Sequence, residues 1–182
     1  MSVTRLPVVG VLGSGSVGHE ERARALGSWL ASQGVHLLTG GGGGVMSSVS
    51  KAFSEVSGRR GLSIGIVPCA ADGAASEPRQ GYPNPWVEVA VLTHLPSSGQ
   101  SGAEPMSRNH INVLSSSVLV ALPGGSGTSS EVALALRYGR PLIAFLRSRD
   151  EIPDLPAEVR AEDDLEEVKK FVRERIGGAT RS

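Results

Sequence analysis

Three times in this 182-residue chain an apolar run breaks into glycine and re-emerges as a helical pattern. Pro7–Leu12 leads into Gly13-Ser14-Gly15-Ser16-Val17-Gly18, and Glu20–Ser32 follows with Ala23, Leu26 and Leu30 at helical spacing. Val35–Leu38 passes through Thr39 into five glycines, 40–44, and a helix from Val45 to about Val56. Val118–Leu122 leads into Pro123-Gly124-Gly125-Ser126-Gly127-Thr128, with a helical pattern over Glu131–Tyr138. Short β-branched runs of this kind read as buried strands. Strands that alternate with helices build an α/β fold, a Rossmann-like doubly wound parallel sheet with helices on both faces. The remaining elements fit: strands at Leu62–Val67, Trp86–Leu92 and Pro141–Leu146, and helices at Met106–Ser116 and Leu165–Ile176. Asp163-Asp164 precedes the last helix as a cap, and its lysines and arginines fall late, as the helix dipole favours. One domain over 1–178 and a short tail over 179–182 are expected. Polar stretches at 70–82 and 94–104 read as exposed loops, the second a candidate lid or subunit contact.

In such sheets ligands sit at the carboxyl ends of the strands, where all three glycine turns fall. Glycine lets a backbone approach a bound group closely, and a helix start behind it offers unpaired N–H groups and a positive dipole end. The expected occupant is phosphate. The turn at 124–127 with Thr128 is the leading candidate. Glu131 would repel a phosphate in direct contact, so it is expected to face a neighbouring part of the ligand, such as a sugar. Gly13, Ser14 and Gly15 match G-x-G-x-x-G after a strand, which reads either as phosphate contact or as a tight packing turn. No acidic residue follows the second strand to hold a ribose, which argues against NAD. Five glycines at 40–44 are costly in backbone entropy, and they read as close approach of Gly41, Gly42, Gly43 and Gly44 to a ligand, with Met46 after them read either as part of that ligand turn or as core.

The totals exclude several classes. Eighteen Lys and Arg balance eighteen Asp and Glu, and aromatics are 4%, so neither a basic field nor a stacking platform for nucleic acid is expected. No apolar stretch reaches membrane-spanning length and no signal-peptide pattern opens the chain. A lone cysteine, Cys69, fits a reducing compartment, and a cytoplasmic protein is expected. The four histidines, His19, His36, His94 and His110, show no ligand spacing, so no metal site is expected.

Pro123-Gly124-Gly125-Ser126-Gly127-Thr128-x-x-Glu131 resembles the P-G-G-x-G-T-x-x-E motif of the Lonely Guy family, often labelled "lysine decarboxylase-like". Gly41-Gly42-Gly43-Gly44-Val45-Met46 resembles that family's second glycine turn, one or two positions shorter. Arg108, twenty-three positions before Glu131, is placed like the family's catalytic arginine. The resemblance implies a homodimer or homotetramer that hydrolyses a nucleoside 5′-monophosphate to free base and ribose 5-phosphate. Arg108 and Glu131 would be catalytic, residues 123–128 would hold the phosphate, and no cofactor would be required. The chain departs from that pattern before the motif strand, where only Arg108 of Ser107-Arg108-Asn109-His110 carries over, and at Ser130, where a second acidic residue is usual. Asn112-x-Leu114-Ser115-Ser116-x-Val118-Leu119-Val120-Ala121, Leu37–Gly41 and Glu131–Leu136 are also similar to molybdenum cofactor carrier proteins. That likeness implies an alternative: a carrier of molybdenum cofactor or a related phosphorylated pterin, without turnover. Lysine decarboxylation is rejected, because Lys51, Lys169 and Lys170 all lie away from the glycine-rich strand ends.

Overall fold

The computed structural model of the chain describes residues 5–70, 77–97 and 99–178. The expected tail over 179–182 and the middle of the expected 70–82 loop lie outside them. Seven parallel strands form one sheet in the order β4-β3-β2-β1-β5-β6-β7. In chain order they are β1 (Val8–Leu12), β2 (His36–Thr39), β3 (Ser63–Val67), β4 (Val89–Leu92), β5 (Val118–Ala121), β6 (Leu142–Phe145) and β7 (Arg160–Glu162). The helices are α1 (Glu20–Ala31), α2 (Val45–Ser54), α3 (Asn109–Ser115), α4 (Ser126–Arg137) and α5 (Leu165–Gly178). This is the Rossmann-like α/β fold expected from the sequence.

The inner strands β1, β2, β5 and β6 are apolar on both faces because both faces are covered, whereas the edge strands β4 and β7 are exposed or charged. On β5 and its extension, Val118, Val120 and Leu122 point into one core with Leu26 and Leu30 of α1, Val49 and Phe53 of α2 and Phe171 and Val172 of α5. Leu119 and Ala121 point the other way, into a second core with Val113 of α3 and Val132, Leu134 and Ala135 of α4. Strand order reverses direction between β1, whose other neighbour is β2, and β5. The glycine turns after β2, β1 and β5 therefore lie side by side at one end of the sheet.

Three expectations need correction, and one strand was not expected. α4 begins at Ser126, five residues before Glu131, so Gly127 and Thr128 belong to its first turn rather than to a preceding loop. α3 begins at Asn109, not Met106, and its apolar residues do not all face inward: Val113 is fully buried while Met106 and Leu114 are 46% and 44% exposed. Its buried face is instead partly polar, with Asn109 and Asn112. The link over 147–156 carries a 3-10 turn at Arg149–Glu151, and the short edge strand β7 follows it, a strand too charged to show as an apolar run. The loop at 94–104 is docked rather than free: its 3-10 turn, Gly99–Ala103, lies on α4, where the Ser130 hydroxyl donates to the Gly99 carbonyl at 3.1 Å. No helix among the described residues is long and apolar enough to cross a membrane.

Candidate functional site

The three glycine turns are tied to one another by backbone hydrogen bonds. Ser14 N–H donates to the Pro123 carbonyl and Val45 N–H donates to the Ser14 carbonyl, both at 2.9 Å. Above this joint lies a cavity of about 390 Å³, within the range of small-molecule sites. Gly13, Ser14 and Gly15 form one side of it, and Gly125, Ser126, Gly127 and Thr128 form another. Met46, Arg108 and Glu131 also reach it.

The start of α4 is the electropositive wall. Gly125 is its N-cap and no side chain caps it; its first turn carries no acidic residue. The leading amides of a helix have no intrahelical acceptor, and here they face a cavity. Thr128 is 2% exposed and packs on Gly124, where any Cβ would collide with the Thr128 hydroxyl. Gly124 is thus the position that needs to be glycine for the turn to close. Pro123 and Gly124 shape the turn from behind and do not line the cavity.

The five-glycine run makes its close approach to the protein itself. Gly44 adopts φ 58° with the Ser14 carbonyl where a Cβ would stand, and Gly43 abuts the Gly15 carbonyl. Gly41 (φ 74°) and Gly42 are fastened by Asn84, whose N–H donates to the Gly41 carbonyl at 2.7 Å and whose side-chain amide donates to the Gly42 carbonyl at 2.9 Å. None of Gly41, Gly42, Gly43 or Gly44 lines the cavity. Met46, 8% exposed, is both core and cavity wall.

Arg108, the N-cap of α3, is buried. It is 5% exposed, and its guanidinium lies against Gly40, where no Cβ would fit, with Cζ 5.5 Å from the centre of the Tyr82 ring. Its Nε and Nη1 are buried without a hydrogen-bond partner. Glu131 accepts a hydrogen bond from the Asn112 side-chain amide at 3.0 Å. Burial pushes its carboxyl above the ordinary range, and the Asn112 bond and the Arg108 charge oppose that rise. His110 is taken up structurally, between the Tyr138 hydroxyl at 2.6 Å and the Glu104 carbonyl at 2.9 Å. Among the described residues no group of three or more His, Cys, Asp or Glu is arranged to hold a metal ion.

Tyr82, Asn109 and Gly99 line the cavity without having been singled out in the sequence. Tyr82 precedes Pro83 within a polar stretch, and an aromatic there was the one available signal. Asn109, beside Arg108 and 5% exposed, looked like an ordinary polar residue near a helix start.

The sequence model of the SLOG cluster4 family matches residues 6–172. The chain belongs to the SLOG cluster4 family. The Lonely Guy-like motif and the carrier-like segments both lie within the matched residues. An uncharacterised protein of Archaeoglobus fulgidus is 30% identical to this SLOG cluster4 chain over 138 residues, 75% of this chain and 78% of the relative. The solved molybdenum cofactor binding protein of Rippkaea orientalis superposes with TM-score 0.71 at 31% identity, over 94% of this chain and 98% of its own. The molybdenum cofactor carrier protein of Chlamydomonas reinhardtii superposes with TM-score 0.69 at 30% identity, over 93% and 99%.

Proposed function

We propose that this protein binds and carries a phosphorylated pterin of the molybdenum cofactor type, with the phosphate at the start of α4. The observation that carries the reading is the uncapped N-terminus of α4, free of acidic residues and opening on a cavity of about 390 Å³. Two solved proteins similar to it over nearly their whole length, named for binding or carrying molybdenum cofactor, support the choice of ligand. In this reading the cofactor is cargo. The chain's contribution is to hold its phosphate by backbone amides and Thr128, and to shield its ring system between Met46 and Tyr82. The test is to load purified protein with isolated molybdenum cofactor, pass it over a desalting column and reconstitute a cofactor-free molybdoenzyme with the eluate. Retention and transfer are expected. Recovery no better than that of free cofactor refutes the reading.

A second reading, hydrolysis of a nucleoside 5′-monophosphate, is favoured by one observation: Glu131 and Arg108 reach the same cavity as the phosphate-binding amides. Water would add to C1′ of the ribose as the C1′–N bond breaks, the base leaving with a proton. Glu131 would stabilise positive charge on the sugar, accept the water proton and pass it on to the departing base. Incubation with AMP and N6-substituted relatives tests it, and release of free base by wild type but not by Glu131→Ala is the expected sign. The homo-oligomer implied by the sequence resemblance finds support in Leu114, Leu136 and Tyr138, exposed apolar residues of α3 and of α4 and its C-cap, and sedimentation measures it.

A further inference from the structure

We infer that the cavity takes two acidic groups of one ligand: a phosphate at the start of α4 and a second oxyanion against Arg108. This rests on the phosphate-ligand reading of the cavity and specifies the chemical class that fits it.

Arg108 is the reason. A guanidinium cannot shed its charge by deprotonation, and a buried one is normally paired. Here it is 5% exposed, with Nε and Nη1 unpartnered, yet it lines the cavity. Its surroundings position it without neutralising it. Gly40 leaves it room, and the Tyr82 ring offers a face 5.5 Å from Cζ. Glu131 interacts with it electrostatically, but that carboxylate is engaged by Asn112 and burial favours its neutral form. Among the described residues no carboxylate is hydrogen-bonded to or ion-paired with the guanidinium, and Arg108 borders the ligand space. The α4 amides, on another wall, already suffice for one phosphate. A ligand with a single acidic group would satisfy one wall and leave the other bare. Two sources supply the second oxyanion: the metal–oxo end of a molybdenum-loaded pterin, or a second phosphate of a nucleotide.

Crystals soaked in tungstate, a heavy tetrahedral oxyanion, test the inference without any organic ligand. Anomalous density is expected at two places in wild type, beside Gly125–Thr128 and beside Arg108. Arg108→Met should lose the second and keep the first. Gly40→Ala, which adds a methyl group where the guanidinium now lies, should do the same; Gly40 lacks a positive φ, so alanine is not strained there by its backbone. Wild-type density at α4 alone, or density beside residue 108 that survives Arg108→Met, overturns the two-anion inference and leaves the α4 phosphate site standing. No density at α4 overturns the phosphate reading itself. Calorimetry then separates the sources. Wild type should bind molybdenum-loaded pterin at least about tenfold more tightly than the metal-free pterin, or ADP that much more tightly than AMP, and Arg108→Met should erase the difference. Equal affinities within both pairs in wild type overturn the inference.

Discussion

α1 and α4 begin behind similar glycine turns, on adjacent strands, at the same end of the sheet, and of their first turns only that of α4 lines the cavity. After β1, the chain runs on to His19 in a left-handed conformation (φ 43°) before α1 starts at Glu20. On the way Ser14 Oγ accepts from the amides of Ser16 and Val17, at 3.2 and 3.0 Å. Glu20 and Glu21 fill the first turn of α1, and Glu20 is bonded by the Ser48 hydroxyl at 2.6 Å. After β5 and four intervening residues, α4 starts without a side-chain cap and without an acidic residue in its first turn. A glycine-rich strand-to-helix turn therefore does not by itself make an anion site. What decides is where the helix begins and whether the protein's own carboxylates already occupy its dipole end.

The largest effect separates glycines that join loops from glycines that meet ligand. Gly44→Ala would force a side chain onto a φ of 58° and a Cβ onto the backbone of Ser14 and Gly15. We expect a loss of roughly 2–5 kcal/mol in stability, read by urea denaturation. Gly125→Ala meets nothing within 4 Å at its Cβ and should leave stability within about 0.5 kcal/mol of wild type. Equal stability losses in the two variants would break the distinction.

Next in size is a variant that turns the α4 start into a copy of the α1 start. Gly125→Asp places a carboxylate at an uncapped N-cap of extended backbone (φ −99°, ψ −150°), with open space for the side chain. It should stabilise the fold by about 0.5–1 kcal/mol through capping and the dipole, and weaken phosphate-ligand binding by at least about tenfold. A variant more stable and still fully binding would show that the α4 amides do not hold the ligand.

The fold was legible because its signals are local. Apolar runs such as Val118-Leu119-Val120-Ala121 become buried strands, and eight of the eleven expected strand and helix starts fall within a residue of the observed ones. The α4 wall of the cavity was legible for the same reason, since Gly125–Thr128 and the helix behind them are consecutive. The rest of the site is not local. That Gly43 and Gly44 press on Gly15 and Ser14 depends on β1 and β2 being neighbours, which no residue in the run encodes. That Arg108 is buried depends on Gly40 and Tyr82, 68 and 26 positions away, converging on it. β7 was missed because Arg160-Ala161-Glu162 is an edge strand whose partner, β6, supplies the apolar content.

Glu131 tests whether the α4 wall carries a carboxylate that burial disfavours. Its carboxyl lies above the ordinary value of 4.5, so the folded state keeps a proton that the unfolded chain has already released. The penalty for ionising it in the fold is absent below the ordinary value, grows as pH rises through the interval, and is complete above the raised one. Glu131→Gln keeps an acceptor for Asn112 and removes the charge. The variant should melt above wild type at neutral pH, and the two should converge as pH falls toward 4.5. A melting difference independent of pH would mean that Glu131 does not titrate with a shifted carboxyl. Anionic ligand beside it would raise the carboxyl further, so wild-type affinity should strengthen as pH falls while Glu131→Gln affinity stays flatter.

The smallest effect bears on α1. Glu20→Gln removes one favourable charge from the dipole end of α1 and weakens the Ser48 bond, which should reduce stability by about 0.3–1 kcal/mol. Ligand affinity should not move, because Glu20 lies outside the cavity lining. Suppose instead that α1 contributed to the ligand site as α4 does. Then Glu20 would now be repelling the ligand, and its removal would tighten binding. Tightening on Glu20→Gln, measured by the same calorimetric titration as Gly125→Asp, would mean that the carboxylates of α1 restrain a second anion site rather than replace one. Unchanged affinity would place the whole anion-binding difference in the missing cap of α4.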